Sequence, residues 1–307
     1  MTVIIASANA KEGVMLSDRQ STMGWRVANS AEKARSFTSD AYHGVLAGAG
    51  HANITAYARQ QIQQLTDEQP SLERFVTGLG EEIQDIATQV ADEEIAARVR
   101  SAKKRSEILG ADAEGFLRQE LHGIQAQYDA IREEAAGVHM LVMGWDTHNH
   151  AVRRWDLNNR MTREFFLNVG MIAGSGSDGA HNYLAEKTLN FEKATMEEMI
   201  WETVAAHARS TMNTGVGGTP GVQLVTQQGV RTLNRAQQVC LANIAGIYSA
   251  ELFPQLVSRQ TGPAIVDRVL NEDYNPVRTI ADYAGFNLSG FADTYVEPSS
   301  WRERLKE

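Results

Sequence analysis

The chain has 307 residues, 43% of them hydrophobic and 22% charged, which is enough apolar side chain for one large domain or two ordinary ones and too much for a disordered chain. With 29 Lys and Arg against 38 Asp and Glu, the net charge of −9 argues against duplex nucleic acid or an anionic membrane as the main partner. The single cysteine excludes an intrachain disulfide, and no run approaches the roughly 18–20 apolar residues of a membrane span.

The chain starts "MTVIIASANAKEGVMLSD". It lacks a basic start, and "VIIA" is far shorter than the roughly 7–15 apolar residues of a signal peptide, so the expected compartment is the cytoplasm. "TVIIASA" and "GVMLSD" read as two strands joined by the turn "NAKE", and "YHGVLAGAG" as a further strand ending in small residues. From residue 51 to about 136 the pattern is helical. The basic run "RVRSAKKRSE" (98–107) is expected as a solvated turn between helices, and "DAEGFLRQELHGIQAQYDAIREEAAG" as one helix. Beyond Val138, "VHMLVMGWD", "HAVRRWDLN" and "FFLNVGMIAGSGSD" predict a β meander. The helix "ATMEEMIWETVAAHARSTMN", the Gly-rich "TGVGGTPG" and the hairpin "VQLVTQQGVRTL" follow. The remainder is mostly helical, with Pro276 marking one helix start and Cys240 expected as a core thiol. Strands, helices, strands, helix, strands is the order of an α+β fold with antiparallel sheets.

Several residues can carry chemistry. Thr2 follows a methionine that aminopeptidases remove before small residues, and an N-terminal threonine holds nucleophile and base on one residue. Its α-amine, with an intrinsic pKa of about 8, takes the hydroxyl proton directly or through a water. Asp18 ends the second strand, and Lys33 lies in "NSAEKARSF". A buried lysine beside the nucleophile favours its alkoxide-like form, and an aspartate paired with it keeps the lysine charged and in place. Gly48 ends a strand that enters a helix, where a backbone N–H suits an oxyanion. "AGSGSDGAHNYL" is a second strand-to-helix turn, carrying Ser175 and Ser177; it lacks the Gly-Lys-Ser/Thr ending of a phosphate loop. Asp146, His148 and His150 have metal-like density but fall at a hairpin turn. Trp145, Trp155 and Trp201 suit core positions, and His207 a packed or surface one.

Taken in order, these segments resemble the proteasome β-subunit family of threonine-dependent N-terminal nucleophile hydrolases. The resemblance rests on Thr2, Asp18-Arg19, Thr22, Lys33, Ala47-Gly48, "GSGS" at 174–177 and "NTGVGG" at 213–218, and covers most of residues 2–234. It implies a four-layer αββα fold for 2–234, with a helical insertion near 70–136 and a C-terminal extension over 235–307. It implies Thr2 as nucleophile after Met1 is removed, Asp18 and Lys33 in support, Gly48 as oxyanion donor and Ser175 assisting the amine. Thr22 and Gly50 would offer main-chain groups to a peptide or protein substrate bound as an added strand. No cofactor or metal is implied, and a homo-oligomer is one assembly it allows.

The chain departs from the family pattern at four points. Asn213 takes the family's aspartate position and Val216 its serine position, with Thr214 or Thr219 as substitutes if the loop shifts. Lys33 is one residue nearer Thr2 than usual, and about 70 residues follow the last matched hairpin. Three functions stay open: a threonine peptidase or amidohydrolase, a connectase-like peptide ligase that gives its acyl group to an amine, and a silent proteasome-like scaffold.

Overall fold

The computed structural model describes residues 2–19, 21–23, 26–28, 33–109, 113–165, 170–186, 190–211, 219–249, 251 and 257–284. Two antiparallel five-stranded sheets carry the architecture. In the first, β10 (Met171–Ala173), β1 (Ile4–Ala8), β2 (Glu12–Ser17), β11 (Gly221–Thr226) and β12 (Gly229–Thr232) lie side by side in that order. In the second the order is β5 (Ala34–Thr38), β6 (Tyr42–Gly50), β7 (Val138–Asp146), β8 (Ala151–Asn158) and β9 (Thr162–Phe165). A short hairpin, β3 (Ser21–Met23) with β4 (Arg26–Ala28), stands apart.

The strand sequences explain why both faces are covered. Strands β1 and β7 are buried along almost their whole length, so alternate side chains must enter two different apolar environments. Val3 and Ile5 join Val14 and Leu16 in one core with α5 (Asp178–Ala185), α6 (Met196–Ser210), α7 (Arg235–Ser249), α8 (Gly262–Leu270) and α9 (Asn275–Ala284). Ile4, Ala6 and Met15 point the other way and meet Leu141, Met143 and Trp145 of the second sheet. Met140 and Val142 of β7 face a third core with α1 (Ala52–Glu68) and the first turns of α2 (Leu72–Leu109). Trp145, Trp155 and Trp201 are all core residues, and Cys240 is a buried free thiol. Among the described residues no helix is long and apolar enough to cross a membrane.

Three local readings of the sequence change. The run 98–107 is not a turn: α2 passes straight through it to Leu109. It contains no Gly or Pro, and half of it is Lys and Arg, both good helix formers. Arg98 pairs with Glu94 and Glu134, Arg105 pairs with Glu120, and Ala102 and Ser106 are buried. The helix expected over 112–137 is instead two, α3 (Ala113–Ala126) and α4 (Tyr128–Ala136), parted at Gln127. The meander also ends at β9, because β10 leaves it and pairs with β1 in the first sheet.

The helices after residue 235 share the core of the first sheet rather than forming one of their own. Ile265, Val266 and Val269 of α8 and Val277 and Ile280 of α9 pack into it. A buried carboxylate ties them down: Glu202 of α6 accepts from Tyr183 Oη at 2.7 Å and from Arg259 Nε at 2.9 Å. Glu202→Ala leaves both donors without this acceptor, and we expect a loss of about 2–4 kcal/mol in chemical denaturation, with faster amide exchange across 257–270.

Candidate active site

The site lies where β1 begins and β2 ends. The β1–β2 ladder brings Ser17 opposite Ile4, and it continues one step further because Asp18 N–H donates to the Val3 carbonyl at 3.0 Å. The Asp18 side chain bends back so that Oδ1 accepts from Val3 N–H at 2.9 Å. Lys33, one residue before β5, reaches across from the second sheet. Its Nζ donates to Asp18 Oδ1 at 2.8 Å, to Asp18 Oδ2 at 2.9 Å and to Thr2 Oγ1 at 2.9 Å. One ammonium therefore joins a carboxylate that is 0% exposed to a hydroxyl near the chain start.

Burial governs the electrostatics. Desolvation raises the Asp18 carboxyl above its ordinary range, with the Lys33 charge and hydrogen bonds opposing. Desolvation also lowers the Lys33 ammonium, with Asp18 opposing. Each group is held in its charged form mainly by the other.

A turn from the later part of the chain clasps Thr2. Gly176 N–H donates to the Thr2 carbonyl at 3.0 Å, and Gly174, at φ +102°, packs against the same oxygen. A Cβ at 174 would stand 2.2 Å from that oxygen in a backbone conformation that disfavours side chains. Gly174→Ala is expected to destabilise the fold by about 1–3 kcal/mol and to displace Thr2, read as a lower melting temperature together with slower electrophile labelling. Ser175 sits exposed in this turn, between the two glycines that hold Thr2.

The other predicted residues are placed as follows. Gly48 is next to the lysine, but its N–H donates to the Lys33 carbonyl at 3.3 Å, so in this conformation an oxyanion would have to compete for it. Gly50 has φ +104° and is the last β6 residue, opposite Val138. Thr22 lies in β3, opposite Val27. Asn213, Thr214 and Val216 fall outside the described residues. Asp146 accepts from the backbone N–H of His148 and Asn149 in the β7–β8 turn, and no cluster of three or more His, Cys, Asp or Glu among the described residues is arranged to hold a metal ion.

His207, expected as a packed or surface histidine, is packed, and it stands near the site. It lies in the last turn of α6, is fully buried, and its Nε2 has no hydrogen-bond partner among the described residues. Burial, helped by the nearby Lys33 charge, pulls its pKa down to about 4, so it is neutral at pH 7. The available signal was the buried stripe Met196, Ile200, Thr203, His207 and Ser210, which turns polar toward its C-terminal end.

No family model and no curated protein matches the chain. Solved structures do. Anbu (ancestral beta-subunit) from Yersinia bercovieri aligns with a TM-score of 0.58 at 12% identity, over 82% of this chain and 97% of that one. Anbu from Hyphomicrobium sp. strain MC1 aligns at 0.53 and 9% over 81% and 95%, and its Gly-1 mutant at 0.55 and 10% over 82% and 96%. At such identities the likeness shows the fold alone, which is proteasome-like.

Proposed function

We propose that this protein is a threonine-dependent peptidase or amidohydrolase that works through an acyl-enzyme on Thr2 once Met1 is removed. The observation that carries this reading is the Lys33 ammonium, 2.9 Å from Thr2 Oγ1 and held by both oxygens of a fully buried Asp18. A cation so placed stabilises developing negative charge on the hydroxyl oxygen as it attacks a carbonyl carbon. The freed α-amine takes the hydroxyl proton and later returns it to the leaving amine. Ser175 serves that amine from the turn that clasps Thr2. Gly48 serves the oxyanion once its bond to Lys33 gives way to substrate. Thr22 and Gly50 hold the substrate chain as an added strand.

The three separate cores support a four-layer αββα sandwich, with helices over the outer face of each sheet. In this reading 2–234 form the catalytic domain, α2 to α4 the insertion within 70–136, and 235–307 an extension fused to its core. The partner is a peptide or protein substrate, and the protein acts in the cytoplasm with no cofactor.

The competing reading is a silent scaffold, and one observation favours it: the Gly48 N–H is engaged rather than waiting for an oxyanion. A panel of peptide amides, followed by product mass with and without an added primary amine, separates the readings. Free acid products mark a hydrolase and amide products a ligase. No product from the mature protein, with none lost on Thr2→Ala, leaves the scaffold.

A further inference from the structure

The end of the fold that holds Thr2 contains a buried polar group that the proposed chemistry does not use. Three contacts fix the direction of α6 across β1 and β2. At its start, Asn9 Nδ2 in the β1–β2 turn donates to the Ala194 carbonyl at 2.9 Å. Midway, Ser7 Oγ and Thr203 Oγ1 share a hydrogen bond of 3.0 Å. At its end, Gly179, just after the turn that clasps Thr2, packs against the backbone of Arg209 and Ser210. Helix α6 therefore runs antiparallel to β1 and finishes at the Thr2–Asp18 end. His207 is one turn past Thr203 on the same stripe, so it belongs to that end.

Strand alternation places the partner. Val14 and Leu16 of β2 face α6, and Asp18 continues that parity. The Cβ of Asp18 is thus directed to the α6 side at the end where His207 lies, and the Lys33 charge is near enough to the imidazole to lower its pKa. Each Asp18 oxygen can accept two bonds. Oδ1 has Val3 N–H and Lys33, while among the described residues Lys33 is the donor found at Oδ2. Thr219 Oγ1, on the residue that precedes Pro220 and β11, is a second buried atom at this end with no hydrogen-bond partner among the described residues. Two such atoms beside a buried ion pair are the setting in which proteins enclose a water.

We infer that His207, as the Nε2–H tautomer, donates to Asp18 through one enclosed water, and so acts as a positioning residue for the Asp18–Lys33 pair. The link stabilises the Asp18 charge without adding a second cation beside Lys33. A protonated His207 would repel that ammonium, so the ring works because burial keeps it neutral. The catalytic part of this role rests on the threonine chemistry proposed above; the hydrogen bond does not.

Nitrogen-15 NMR of the imidazole in the intact protein tests the bond. The expected result is a neutral ring protonated on Nε2 between pH 5 and 8, with its resonance shifted in Asp18→Asn. The Nδ1–H tautomer, or a resonance indifferent to Asp18→Asn, overturns the inference. The rate at which a β-lactone labels Thr2 tests the role. His207→Leu is expected to slow labelling on the order of 10-fold and His207→Gln, which keeps a donor, to recover most of it. Equal rates in a His207→Leu protein with an unchanged melting temperature overturn it. If the wild type does not label at all, the threonine chemistry fails, while the tautomer still decides the bond.

Discussion

Thr2→Ala, which Met1 removal also leaves with a free terminus, is expected to lose covalent labelling and to lower any amide cleavage on the order of 10³-fold or more, with the melting temperature unchanged. The structure explains the separation of the two effects. The Thr2 hydroxyl is a terminal member of the Lys33 network, and its loss leaves the Asp18–Lys33 pair intact. The backbone clasp from Gly174 and Gly176 grips the Thr2 carbonyl rather than its side chain, so it too survives. A Thr2→Ser variant keeps the nucleophile and is expected to label. Cleavage that persists in a Thr2→Ala protein would assign the chemistry elsewhere.

Lys33→Ala should instead be felt in stability. It strands a carboxylate that is 0% exposed, and breaking a buried pair by removing one partner costs about 3–5 kcal/mol. The pH dependence has a definite sign. The folded pKa of Asp18 is already raised above its unfolded value, and removing the lysine raises it further. The stability associated with protonated Asp18 is fully present below the unfolded value of about 3.9 and is lost as pH rises through the folded one. The Lys33→Ala deficit therefore shrinks as pH is lowered toward 4 and is largest near neutrality. The double variant Asp18→Leu/Lys33→Met removes both charges and is expected to regain most of the stability while staying inert. Urea melts at pH 4.5 and 7.5 compare all three. A Lys33→Ala protein as stable as the wild type at pH 7.5 would mean that the pair is not buried as described.

Much of the site was legible because its residues are few and ordered along the chain. A threonine next to the initiator methionine, an aspartate where the returning strand ends, and a lysine before the next strand are positions that a β1–β2 hairpin can bring together. Gly174 was legible as part of a glycine-serine turn, though its purpose is to let a backbone approach the Thr2 carbonyl. What could not be read depended on contacts between distant segments. The three-residue strand Met171–Ala173 has nothing in its own sequence that assigns it to one sheet, and only pairing with Ile4–Ala6 does so. His207 looked like any packed histidine because its meaning lies in which end of β1 the last turn of α6 reaches. That is set by Asn9 with Ala194 and by Gly179 with Arg209, far apart in sequence. The continuation of α2 through 98–107 was misread for a simpler reason. A cluster of like charges suggested a turn, while partners on α3 and α4, including Glu120 and Glu134, supply the opposite charges.

The intact mass of the purified protein, before and after exposure to a β-lactone or epoxyketone, tests the central claim most directly. The account predicts a mass without Met1 and a single adduct, mapped to Thr2 and missing in Thr2→Ala. Met1 retained with no adduct, or an adduct on any other residue, would contradict it.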